Sequence, residues 1–120
     1  MENYGYTALT MACKRKMESV ALKILEIPEI NVNQVNIFGN TALILSCMNN
    51  MSNTSLKLLE RAYIDINCIN DKGETALIWA CKNRMMKSVA LKLLERPYIN
   101  VNQITNYERD TALILTSNPH

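Results

Sequence analysis

The chain has 120 residues, 48% hydrophobic and 20% charged, which suits one globular domain with a core of its own. Its net charge of +2 does not by itself call for nucleic acid or anionic lipid, and no apolar run nears the ~20 residues that span a bilayer. Met1 to Thr10 lacks the basic-then-apolar order of a signal peptide, so an intracellular and chiefly cytoplasmic setting is expected, with a nuclear or host-cell one as the variant.

The first element begins at Thr7, with a short string that recurs along the chain. Thr7-Ala8-Leu9 returns as Thr41-Ala42-Leu43, Thr75-Ala76-Leu77 and Thr111-Ala112-Leu113, at spacings of 34, 34 and 36 residues. Each Thr can cap a short helix by accepting an orphan backbone N–H. The helix buries a stripe at i, i+3 and i+4: Leu9, Ala12 and Cys13, then Leu43, Ser46 and Cys47, then Leu77, Ala80 and Cys81.

A break comes next at Arg15-Lys16, Asn49-Asn50 and Asn83-Arg84, where Asn tolerates the left-handed backbone that ends helices. Met17, Met51 and Met85 open the second helix, as a column that packs between units. That helix carries Val20, Ala21, Ile24 and Leu25 in the first unit and Val89, Ala90, Leu93 and Leu94 in the third. Thr54 and Ser55 make the second unit more polar. Pro28 and Pro97 stand just beyond the second helices, as stops.

An extended loop then carries Val32-Asn33, Ile66-Asn67 and Val101-Asn102, with Ile30, Ile64 and Ile99 ahead of them. Gly5, Gly39 and Gly73 stand two residues before each capping Thr, where a tight turn calls for positive φ. Arg109 holds that place in the fourth unit, so its turn is expected to be altered. Insertions near Arg84-Met85-Met86 and Ile104-Thr105 account for the longer last spacing.

This pattern of turn, helix, helix and loop resembles the ankyrin repeat. The family's Thr-Pro-Leu-His-x-Ala signature survives as Thr-Ala-Leu-x-x-Ala in units one and three, and Ser46 replaces the last Ala in unit two. The signature Pro is Ala throughout, the His is Thr or Ile, and Lys16 and Asn50 stand for the Gly between helices. The resemblance implies an all-α helix-turn-helix solenoid. Three full repeats are expected at about 2–35, 36–69 and 70–105, with a partial fourth at 106–120. The fourth unit stops after one helix and the first begins at its turn, so a piece of a longer array is expected rather than a capped one.

The four cysteines do not form a metal pattern. There is no Cys-x-x-Cys pair and the one His is His120. Column neighbours on stacked helices stand about 8–10 Å apart, beyond disulfide reach, so Cys13, Cys47 and Cys81 read as small core residues. Cys68 lies in a loop. Without a His base nearby, no thiol nucleophile is expected, and neither catalysis nor a cofactor is implied. Trp79 shares a column with Met11 and Leu45 and reads as core or as a half-exposed anchor.

The turn tips hold the binding candidates. Four of the seven aromatic residues lie in them: Tyr4, Tyr6, Phe38 and Tyr107. Ile37 and Asn40 flank Phe38, and Asp71, Lys72 and Glu74 occupy the third turn as polar specificity elements. Aromatic side chains in short turns suit hot spots, although packing on neighbouring turns explains them too. Lys82 joins this set from the end of a first helix. The resemblance implies that turn tips and first helices form a concave surface for a protein partner, on a monomeric scaffold. A second possibility is the basic group Lys14, Arg15, Lys16, Lys82, Arg84 and Lys87, which could meet nucleic acid or anionic lipid. Lys and Arg are also favoured at helix C-termini without any ligand. A third is a targeting segment within a larger enzyme, effector or viral protein.

Overall fold

The computed structural model describes residues 5–106, and the first elements start where the Thr column stands. Thr7, Thr41 and Thr75 have extended backbone, and each hydroxyl accepts from the N–H three residues on: Thr10, Ile44 and Ile78. Thr7 gains a reciprocal bond, its own N–H donating to Thr10 Oγ1 at 2.7 Å. The helices so begun are α1 (Ala8–Lys14), α3 (Ala42–Met48) and α5 (Ala76–Lys82). Each is followed by an antiparallel partner: α2 (Glu18–Ile24), α4 (Ser52–Leu59) and α6 (Lys87–Leu94). Among the described residues there are six α-helices, one 3-10 turn at Arg84–Met86, and no strand.

First helices stack on first helices, α1 on α3 and α3 on α5, and second on second, α2 on α4 and α4 on α6. The result is an all-α solenoid of two layers, in which each helix pair buries a face on the next. Leu9, Cys13, Leu43, Cys47, Leu58, Met86, Val89 and Leu93 are almost wholly buried between the layers. Burial of a Leu or Val side chain contributes about 1.5–3 kcal/mol, so these positions dominate cohesion. The polar second unit is buried too. Thr54 and Ser55 are fully covered, and the Ser46 and Ser55 hydroxyls pair at 2.6 Å while Ser46 donates to the Leu43 carbonyl.

Short helices leave many end groups open, and here neighbouring units supply partners for them. The methionines at the head of the second helices offer no capping oxygen. For α4 the preceding unit provides one: Thr54 N–H and Oγ1–H both donate to Glu18 Oε2 at 3.0 Å. An anionic group there also suits the positive end of the helix dipole. At the other end of α2, Arg61 donates to the carbonyls of Leu25, Ile27 and Pro28. Arg96 repeats this one unit later, reaching Leu59 O at 2.7 Å.

The loops are tied by asparagine. Asn33 donates to Tyr63 O at 2.7 Å and accepts from Asp65 N–H, while Asn67 donates to Tyr98 O and accepts from Asn100 N–H. Asn33 and Asn67 are thus rungs between successive units.

Some sequence expectations need correction. Cys81 is exposed, unlike Cys13 and Cys47, although Leu77 and Ala80 of the same stripe are buried. Val20 is 40% exposed on the opposite end of the stack, while Thr54 and Val89 in its column are covered. The methionine column closes with Met86, fully buried, and not Met85, which is 74% exposed. The inserted residue is absorbed by the 3-10 turn, which moves the register by one. Asn83 is extended at φ −130 and caps that turn through Met85 N–H, whereas Lys16 and Asn50 do adopt the left-handed form. The fourth unit, with Thr111 and Arg109, lies outside the described residues.

Candidate partner-binding surface

The second and third turns are each built round one asparagine side chain. Asn36 Oδ1 accepts from Phe38 N–H and Asn40 N–H, both at 3.0 Å, and Asn36 N–H donates to Asn40 O. Asn70 does the same for Lys72 and Glu74. Gly39 closes the second turn at φ +77, and a Cβ there would sit 3.0 Å from Asn70 Cα. Glycine is therefore required twice, for the left-handed backbone and for the approach of the next turn.

That approach lets the turns bond to one another. Asp71 N–H donates to Phe38 O at 3.0 Å, and Asn106 N–H donates to Lys72 O at 2.8 Å. Asn70 Nδ2 donates to both Asn40 Oδ1 and Glu74 Oε1 at 2.8 Å. The tips are thus a bonded row, held far more firmly than isolated loops. Sequence reading singled out the glycines but missed the asparagine column at 36, 70 and 106. It also missed Arg61 and Arg96. Recurrence at the repeat spacing was the available signal for both.

The row decides what each candidate residue can do. Ile37 and Phe38 are 52% and 46% exposed, with backbone fixed by the turn. Asp71 and Lys72 are exposed beside them. Asn40 and Glu74 are buried, at 8% and 3%, and their side-chain oxygens both accept from Asn70. Phe38, Asn40, Met48, Asn70, Asp71, Lys72 and Glu74 line a groove of about 220 Å³ between the turns and the end of α3. Tyr6 is half-buried and packs on the core. Lys82 stands over the Trp79 ring, 4.4 Å from its centroid, away from that groove. Trp79 is partly buried, and its indole N–H has no hydrogen-bond partner among the described residues. Tyr4 and Tyr107 lie outside the described residues.

No cluster of three or more His, Cys, Asp or Glu that could hold a metal occurs among the described residues. The buried thiols are poor nucleophiles. Burial pushes Cys13 up to about 12, helped by the charges of Glu18 and Cys47, and burial likewise pushes Cys47 up to about 12 against a hydrogen bond from Ser55. Cys68 is raised by burial and by Asp65, and its thiol donates to Gly39 O. Among the described residues, no helix is long and apolar enough to cross a membrane.

Residues 9–105 match the family described as ankyrin repeats, in three copies. Two solved structures share the fold. One is an ankyrin repeat domain from Acinetobacter baumannii AYE, with a TM-score of 0.67 and 21% identity over 92% of this chain. The other is a chain from the complex of a predatory endopeptidase of Bdellovibrio bacteriovorus with the immunity protein Bd3460, with a TM-score of 0.65 and 21% identity over 95% of this chain. The present chain spans 61% and 65% of those chains, under two thirds of each. A search of the curated proteins finds no match.

Proposed function

The chain belongs to the ankyrin-repeat family, whose members are generally protein–protein interaction modules, and we propose that it binds a protein partner through its turn tips. One observation carries this reading: Ile37 and Phe38 are about half exposed on backbone that is fixed by hydrogen bonds. An apolar anchor on a rigid support loses little conformational freedom when it docks. Asp71 and Lys72 supply charges of both signs at the rim of the same groove, which suits selection among partners more than raw affinity. The complex of the Bdellovibrio endopeptidase with its immunity protein supports the reading by showing a related fold within a protein assembly. The reading gives the domain no catalytic role and no cofactor, and the scaffold acts as a monomer.

The test is capture from a cell lysate by the parent and by the Ile37→Ala/Phe38→Ala variant, after circular dichroism shows equal folding. A protein held by the parent and released by the variant supports the turn tips. Equal capture by both refutes them.

A further inference from the structure

The cations of this protein are sorted by place. Lys23, Lys57 and Lys92 each pair with a Glu three residues on, at 3.7–3.8 Å, and Arg61 and Arg96 are bonded to carbonyls. Lys14, Arg15, Lys16, Arg84 and Lys87 are exposed and make no ion pair among the described residues. All five sit where a first helix gives way to a second, in units one and three. The same edge of unit two is neutral, with Asn50, Ser52 and Asn53. The acid at this edge, Glu18, is bonded to Thr54 and Asn53.

Helix dipoles explain part of this set. Lys14 and Arg15 close α1, where positive charge is favoured. They do not explain the rest. Lys87 is the first residue of α6 and Arg84 lies in the turn just before it, at the end where the dipole repels cations. Lys16 has φ +59, a left-handed backbone that strains a side chain bearing a Cβ. Arg84 and Lys87 also rim a groove of about 380 Å³ floored by Ala80, Cys81 and Ala90. Three cations thus stand where the fold disfavours them, which points to a ligand.

We infer that this edge is a second docking surface, for an acidic polypeptide segment that lies across units one to three. Two steps of the stack, about 8–10 Å each, separate the two basic groups. An extended chain rises about 3.3 Å per residue, so roughly six residues bridge them. Carboxylates at its two ends meet Lys16 and the Arg84–Lys87 pair, and Asn50 faces its uncharged middle. No aromatic side chain is found among the edge residues, which disfavours single-stranded nucleic acid, a ligand that needs stacking platforms. This surface is independent of the turn tips.

The test uses a labelled peptide with Glu at its two ends and Ser between them, with fluorescence anisotropy at low salt, on the parent and on Lys16→Gly/Lys87→Glu. The substitutions relieve left-handed strain and favour the dipole of α6, so the variant folds at least as stably as the parent. Its affinity for the peptide falls about ten- to a hundredfold, at about two- to fivefold for each of the three units of charge changed. Binding by the parent is lost in 1 M salt, where the Debye length is about 3 Å, and survives in Phe38→Ala. Equal peptide binding by parent and variant overturns the inference, as does no binding by the parent at low salt. Tighter binding of an oligothymidylate of equal charge, or of phosphatidylserine vesicles, overturns it in favour of those ligands.

Discussion

Replacing Gly39 with Ala perturbs two features of the turn row at once. The backbone there is at φ +77, and left-handed backbone costs a residue with a Cβ about 1–2 kcal/mol. The new Cβ would lie 3.0 Å from Asn70 Cα and 3.3 Å from Asp71 N. Both contacts are backbone, so the third turn must move away. That movement weakens the Asp71 N–H to Phe38 O bond, a further loss of about 0.5–1.5 kcal/mol. Ala stiffens the unfolded chain and returns about 0.4–1 kcal/mol. The net expectation is a loss of about 1–2.5 kcal/mol. Urea unfolding followed by circular dichroism should show the midpoint falling by roughly 1 M with an unchanged slope, given a slope of about 1–3 kcal/mol per molar. Asn50→Gly is the counterpart, since Asn50 is left-handed at φ +60, and it should be neutral or stabilising. A Gly39→Ala variant as stable as the parent would refute the idea that turn stacking fixes the tips.

Arg61→Ala removes three carbonyl contacts at the end of α2 and should cost about 1–3 kcal/mol in urea unfolding, with Arg61→Lys recovering only part because Lys lacks the planar fork. Asn67→Ala breaks a rung that donates to Tyr98 O and accepts from Asn100 N–H, and a loss of about 1–3 kcal/mol is expected, with faster amide exchange confined to the loops of units two and three. In native protein at pH 8, iodoacetamide followed by mass spectrometry should label exposed Cys81 first and leave buried Cys13 and Cys47 unlabelled until unfolding. The same two thiols make stability depend on pH. Their folded values, near 12, lie above the reference 9.0, so the unfolded chain loses protons first and stability falls as pH rises from about 9 to about 12. A Cys47→Ala variant should show a shallower fall over that window, and an unchanged slope would contradict the assignment.

Much of the fold is legible because the repeat compares the sequence with itself. Thr7, Thr41 and Thr75 announce their caps, since a hydroxyl before a short apolar stripe has few other uses. Gly5, Gly39 and Gly73 announce the turns for the same reason. Errors arise where a column depends on its neighbours. Cys81 shares its spacing with Cys13 and Cys47, yet it is exposed while they are buried, because spacing fixes a helix face and not what packs on it. Met85 is misplaced because a periodic reading carries no information about how an inserted residue is absorbed, and a 3-10 turn absorbs it here. Asn40 and Glu74 look like surface residues by type. Only the geometry of Asn70, which bonds to both, turns them inward. The exposure of Ile37 and Phe38 is expected from turn chemistry, while the bonds between turns that hold them rigid require coordinates.

The most direct test of the central claim is hydrogen–deuterium exchange by mass spectrometry on the chain alone and on its complex with the captured protein. Recognition through the turn row predicts slowed exchange at residues 36–40 and 70–74, with the second helices unchanged. Protection confined to the second helices and their loops, with the turns exchanging as in the free chain, would contradict it.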